Sequence, residues 1–293
     1  MDKAFLAQRL NAYERLIRLD KPIGALLLLW PTLWALWIAT RGHPMPEEVL
    51  IFVMGTFLMR SAGCAMNDWA DRNIDGRVAR TRGRPLAAGE IAPKEALAVG
   101  AALAALAFCF VLFLNRFAIL LSFAALAIAC AYPFAKRFFP LPQLCLGIAF
   151  GFGVPMAFAA TMNALPLECW ILFAASICYG FAYDTEYAMV DRDDDLKIGI
   201  RTSAITLGRY DVAAVMASYG SMLALLGWLG MLLRLRWPYF GGLGAAAAMM
   251  LYHYLLIRGR SREGCFRAFL HNNWVGAALF AGVALNYVPS IYR

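Results

Sequence analysis

Eight of the eleven aspartates fall in two short windows: Asp68, Asp71 and Asp75 in the first, and Asp184, Asp191, Asp193, Asp194 and Asp195 in the second. Each window continues an apolar run, so the helix formed by the run is expected to extend into the acids. Spacings of four and seven residues place Asn67, Asp71 and Asp75 on one helical face, and Asp184, Asp191 and Asp195 on another. Like charges stacked at i, i+4 repel each other unless a cation sits between them. Oxygen donors without His or Cys suit Mg²⁺, which keeps several waters and is held by one or two carboxylates plus phosphate oxygens. Arg72, Arg77, Arg80, Arg82 and Arg84 follow the first window, and Arg192, Lys197 and Arg201 surround the second. Guanidinium forks and ammonium charges match phosphate oxygens. The predicted chemistry is a diphosphate held through Mg²⁺ at the mouth of a helix bundle.

Other site chemistries find little to work with. His43, His253 and His271 are far apart in the chain, and the seven cysteines are scattered without a CxxC pair. A histidine metal cage, a zinc site, a disulfide framework and a Ser/His/Asp triad are therefore not expected. The run from Asp191 to Asp195 imitates the start of a calcium-binding loop, but Leu196 stands at the sixth position and Thr202 at the twelfth. No GxxxxGK[ST] phosphate loop occurs.

The elements that position these acids are membrane helices. Of the 293 residues 62% are hydrophobic and 16% charged, with mean hydropathy +0.61. Apolar runs near 22–40, 48–66, 96–114, 117–134, 141–160, 167–184, 211–233, 237–257 and 269–288 predict nine spans, separated by turn signals such as Pro44, Pro140, Pro166 and Pro238. The first run lacks a signal-peptidase site and reads as an anchor. With alternate loops on opposite sides, 21 of the 27 Lys and Arg fall on one side and five on the other, while Arg60 lies within the second run. The positive-inside rule then puts the N-terminus and both acidic windows in the cytoplasm. The net charge of +8 is thus a topology signal, and nucleic acid is not an expected partner. Both long cytoplasmic loops open with acids and continue into bases, which suggests two four-helix units plus a ninth helix in a single domain spanning 1–293.

At these residues the chain closely resembles the UbiA superfamily of intramembrane prenyltransferases. Asn67, Asp68, Asp71 and Asp75 match its NDxxDxxxD motif, and Asp191 and Asp195 match its DxxxD motif. Met66–Gly76, Arg84–Gly89, Tyr183–Asp195, and Asp20–Gly24 with the Leu-rich run after it are similar to the branch that prenylates 4-hydroxybenzoate. The resemblance implies an all-α, ring-like bundle of nine helices around a lipid-open chamber. It also implies Mg²⁺-dependent transfer of a polyprenyl chain from its diphosphate to the carbon ortho to the phenol, in ubiquinone biosynthesis. Asn67, Asp71, Asp75, Asp191 and Asp195 would be the metal ligands, the four aspartates with Arg137 the catalytic set, and Arg72 and Lys197 the diphosphate partners. Tyr132, Lys136 and adjacent Arg137 match a third family feature and, with Asp184, would contact substrate. The lack of an Arg/Ser-rich transit segment points to a bacterial inner membrane.

Two rivals keep separate tests. A sister prenyltransferase acting on haem or a naphthoate would share the paired acids. A Mg²⁺ transporter would need acids at span midplanes, where none is expected. Gly147 and Gly151 read as close helix packing, and Arg60 is expected to face the bundle interior or to snorkel.

Overall fold

A computed structural model describes residues 3–73, 75–77, 81–135 and 138–288, and every regular element among them is helical. The chain runs α1 (Lys3–Leu16), α2 (Ile23–Ala39), α3 (Pro46–Asp71), α4 (Pro93–Val111), α5 (Arg116–Ala135), α6 (Pro142–Gly151), α7 (Gly153–Met162), α8 (Leu167–Ile198), α9 (Ser203–Leu207), α10 (Asp211–Leu232), α11 (Trp237–Ile257) and α12 (Arg262–Tyr287). The helix ends follow local chemistry. Pro46 and Pro93 open α3 and α4, where a missing N–H costs nothing, and Glu48 and Glu95 reach back to accept from the N–H of Met45 and Ala92. Gly199 ends α8 with φ +73°, a left-handed cap that favours glycine.

Among the described residues seven segments are long and apolar enough to cross a membrane: α3, α4, α5, the near-continuous α6–α7, α9–α10, α11 and α12. The protein is a multi-pass membrane protein. This count differs from the nine runs of the sequence at two places. α2 is apolar but has only 17 residues, and Glu168 and Asp184 bracket the apolar part of α8.

α2 packs on α3, α7 and α12; α3 on α4 and α5; α5 on α6; α6 on α8; α8 on α10 and α12; and α11 on both α10 and α12. Small residues permit the close approaches. A Cβ added to Gly180 would lie 2.9 Å from Gly147 Cα, and one added to Gly147 would lie 2.8 Å from the Ile177 carbonyl oxygen, so the glycine pair sets the α6–α8 distance. Buried aromatics find polar partners: Trp34 Nε1 donates to Gly276 O at 3.1 Å, and Tyr239 OH to Leu226 O at 2.8 Å. Leu120, Phe123, Leu251 and Trp274 point outward, as helices solvated by lipid allow.

α1 lies outside this bundle. Ala12 and Leu16 pack with Ala65, Leu86, Ile91 and Ala96, seating α1 on the end of α3 and on the connection into α4. Arg9 pairs with Glu95 and Arg15 with Glu90, while Arg9 also donates to the Glu90 carbonyl at 2.8 Å.

Candidate active site

α3 carries the first acids past the apolar run, but it ends at Asp71. Asp75 belongs to a separate 3-10 turn, Asp75–Arg77, so the single face predicted for Asn67, Asp71 and Asp75 is broken between the second and third residues. Asn67 is half-buried, and Asp68, Asp71 and Asp75 are buried. Asp68 accepts from Arg18 and Arg84, both at 3.0 Å, and Arg84 also donates to Asp75 at 2.8 Å. One terminal nitrogen, Nη1, thus bridges two carboxylates, holding the turn against the helix end. Thr81 Oγ1 donates to the Asp75 carbonyl at 2.8 Å. Burial pushes the Asp75 carboxyl above the usual carboxylate range, and Arg84 opposes the shift.

The second window behaves as expected. α8 continues unbroken for 32 residues, carrying Asp184, Asp191 and Asp195 along one face. Asp191 is buried, and Asp184 and Asp195 are half-buried. The remaining acids turn elsewhere. Asp193 is exposed, and Asp194 accepts from Arg262 at 3.0 Å and Lys197 at 3.4 Å. The hydrogen bond from Arg262 holds the Asp194 carboxyl below its ordinary range.

Two predicted diphosphate partners are placed differently. Lys197 is exposed and paired with Asp194, because six residues after Asp191 is about 240° around the helix, off the acidic face. Arg72 is exposed, stacks on Trp69 at 4.7 Å and donates to the Trp69 carbonyl at 2.7 Å. Lys136, Arg137 and Arg80 lie outside the described residues.

One acid of each window lies within electrostatic reach of a single residue near the end of α5. The Tyr132 phenol interacts electrostatically with Arg60 and Asp71 of α3 and with Asp184 of α8. Arg60 in turn interacts with Tyr132, Tyr183 and Tyr187. Its guanidinium sits 5.6 Å over the Phe150 ring, and a Cβ on Gly24 would lie 2.8 Å from one of its terminal nitrogens, so glycine is what leaves it room. The Arg60 Nε is shut off from solvent and has no hydrogen-bond partner among the described residues. A cation inside an apolar bundle is costly and needs a negative partner or acceptor. The sequence drew attention to Arg60 through this cost, but gave no hint of Arg18 and Arg84 closing on Asp68.

The histidines need a correction. His253 Nε2 and His271 Nδ1 are 3.0 Å apart, because the α11–α12 hairpin folds residues 18 positions apart onto each other. They stand as a pair: among the described residues no three His, Cys, Asp or Glu side chains are grouped so as to hold a metal ion.

The fold and site define a multi-pass helical membrane protein that gathers two acidic windows, a buried guanidinium and tyrosines at one end of its bundle. The UbiA prenyltransferase family matches residues 28–276. A 4-hydroxybenzoate octaprenyltransferase from Methylobacillus flagellatus is 60% identical over 97% of this chain and 96% of its own length. One from an Azoarcus species is 60% identical over 97% of this chain and 99% of its own. Among solved structures, the apo form of a UbiA homolog from Aeropyrum pernix aligns with TM-score 0.77 and 30% identity, over 89% of this chain and 97% of that one. A UbiA homolog from Archaeoglobus fulgidus bound to GPP and Mg²⁺ aligns with TM-score 0.75 over 94% of this chain and 99% of that one, and at 17% identity it speaks to the fold alone. The chain belongs to the UbiA prenyltransferase family.

Proposed function

We propose that the protein transfers a polyprenyl chain from polyprenyl diphosphate to the 3-position of 4-hydroxybenzoate, releasing diphosphate, as a step of ubiquinone biosynthesis. The relatives of that name, matched over nearly the whole chain, support the acceptor. The observation that carries the chemistry is that Asp71, Asp184 and Arg60 all lie within electrostatic reach of Tyr132, so that acids of both windows and a buried cation share one neighbour.

The donor set fits Mg²⁺. Asn67, Asp71, Asp75, Asp191 and Asp195 offer hard oxygen atoms only, and Mg²⁺ needs one or two carboxylates plus phosphate oxygens rather than a preformed protein cage. When bound, Mg²⁺ supplies the charge that neutralises a departing diphosphate. Asp71 of α3 and Asp191 of α8, both buried, would hold Mg²⁺ at the diphosphate end, with Asp195 and Asn67 as further oxygen donors. Asp75 joins once Arg84, which now grips it, turns to phosphate oxygens. Arg84 therefore takes the role that the sequence gave to Arg72 and Lys197, and Arg137 and Lys136 remain the basic pair at the end of α5. Arg60 binds the acceptor carboxylate, its orphaned Nε matching an anion brought in by substrate. The prenyl chain lies among apolar side chains, where an allylic cation released by loss of diphosphate meets the electron-rich ring with little water present, and the C3 proton then leaves to the released diphosphate.

The single domain 1–293 reads as nine spans in a ring of two four-helix units and a ninth helix. The succession of neighbours α2, α3, α4, α5, α6, α8, α10, α11, α12 and back to α2 supports it, and α2 has the minimum length for a span. The basic loops support a cytoplasmic N-terminus and active site in a bacterial inner membrane, with lipid around the bundle. The acceptor is tested by supplying 4-hydroxybenzoate, a naphthoate and haem separately with labelled prenyl diphosphate. Product from 4-hydroxybenzoate alone supports the reading, and product only from another acceptor overturns it.

A further inference from the structure

On the side of α8 turned away from the acidic face lies a polar cluster that this mechanism does not use. Glu186, His253 and Asn272 are fully buried and Tyr219 nearly so. Glu186 lies roughly 140–180° around the helix from Asp184, Asp191 and Asp195, at about 100° per residue. Its partners come from three other helices: Tyr219 from α10, His253 from α11 and Asn272 from α12.

The hydrogens of this cluster can be counted. Tyr219 Oη lies 2.9 Å from Glu186 Oε1, 2.9 Å from Asn272 Oδ1 and 3.1 Å from His253 Nδ1. A hydroxyl has one proton to donate. The Asn272 amide is fixed in orientation, because its nitrogen sits 2.7 Å from Glu186 Oε2 and 3.0 Å from the Ala268 carbonyl, both acceptors. If Glu186 were ionised, Tyr219 could donate to Glu186 or to Asn272 but not to both, leaving an oxygen–oxygen contact of 2.9 Å without a proton. Protonating His253 does not cure this, since its Nδ1–H reaches Tyr219 Oη or Glu186 and supplies nothing to Asn272 Oδ1. A proton on Glu186 Oε1 satisfies every atom: Glu186 donates to Tyr219, Tyr219 to Asn272, Asn272 to Glu186 and Ala268, and neutral His253 donates from Nδ1 to Tyr219. His253 Nε2 then accepts from His271 Nδ1 at 3.0 Å. The other groups facing the cluster are Tyr179, which donates to the Asn272 carbonyl at 2.6 Å, and Cys265.

We propose that Glu186 is held as the neutral acid and that, in this form, it is a positioning residue of the active site. Its closed ring of hydrogen bonds ties α8 to α10, α11 and α12, fixing the rotation that turns Asp184, and with it the helix face carrying Asp191, toward Tyr132. The positioning role rests on the proposed reaction; the protonation state does not.

The test combines infrared spectroscopy with kinetics on the full-length protein in membranes. Gln is the structural match of a protonated Glu here, its amide donating to Tyr219 and its carbonyl accepting from Asn272. Wild-type protein should show a protonated-carboxyl band at neutral pH that Glu186→Gln removes, while Glu186→Gln keeps its transfer rate within about twofold. Glu186→Ala and Tyr219→Phe should lose about 10- to 100-fold in kcat/KM, as misplacement of reacting groups does. Absence of the band, or a Glu186→Gln variant as impaired as Glu186→Ala, overturns the neutral acid. A fully active Glu186→Ala overturns the positioning role. If Glu186→Ala does not fold, the band and the Gln variant still decide the protonation state, and Tyr219→Phe decides the positioning. If no transfer is detected from wild-type protein, the proposed reaction fails while the band still reads the proton.

Discussion

Single side chains divide the site into groups that touch substrate and groups that hold those groups in place. Arg60 is assigned to the acceptor carboxylate, so Arg60→Leu should raise the KM for 4-hydroxybenzoate while leaving that for prenyl diphosphate nearly unchanged. A lost charge-assisted hydrogen bond of about 1.5–3 kcal/mol corresponds to a roughly 10- to 100-fold rise. Equal rises for both substrates would contradict the assignment. Lys197 points away from the acidic face and pairs with Asp194 at 3.4 Å, so Lys197→Ala should change kcat/KM by less than about twofold, the worth of an exposed ion pair. The sequence made Lys197 and Arg72 look equal to the other bases, because charge spacing does not show which way a long side chain turns. The sequence put Asp71, Asp184 and Asp191 forward because an acid ending an apolar helix has few bland explanations.

At the level of elements, the strap formed by α1 and the segment 81–92 is held on the bundle through Asp68, which accepts from Arg18 and Arg84 while only 1% exposed. Arg84→Ala removes one partner of a buried carboxylate and should lower stability in detergent by about 2 kcal/mol. Arg84→Lys should restore part of the loss, because both bonds leave the single nitrogen Nη1 and an ammonium has three N–H to donate, though on a shorter side chain. At the other acidic helix, the Asp194 carboxyl is lowered chiefly by its hydrogen bond from Arg262. A depressed acid contributes stability above its unfolded pKa and loses it as pH falls through the folded one. The melting temperatures of wild type and Arg262→Ala should therefore differ at neutral pH and draw together below the carboxylate range; a gap that is constant with pH would exclude the ion pair as its source. Each apolar run could be read from the sequence because hydropathy needs no partner, and α8 kept its full length through the acids. The break after Asp71, the docking of α1 and the His253–His271 contact could not be read, since each depends on residues far apart in sequence meeting across helices.

For the whole molecule, orientation and chemistry are linked: in the proposed topology both acidic windows face the cytoplasm together with the basic loops. A cysteine replacing His43, in the turn between α2 and α3, should react with an impermeant reagent from outside the cell, and one replacing Gly259, between α11 and α12, should not. Labelling in the reverse pattern would invert the topology. The central claim is that acids from two distant stretches of chain act as one Mg²⁺-dependent transfer site. It is tested most directly by transfer of labelled prenyl diphosphate to 4-hydroxybenzoate in membranes containing this protein, with and without EDTA, comparing wild type with Asp71→Ala and Asp191→Ala. Product that requires Mg²⁺ and disappears in both variants is the expected result. Undiminished transfer in either variant, or in EDTA, would contradict a shared site.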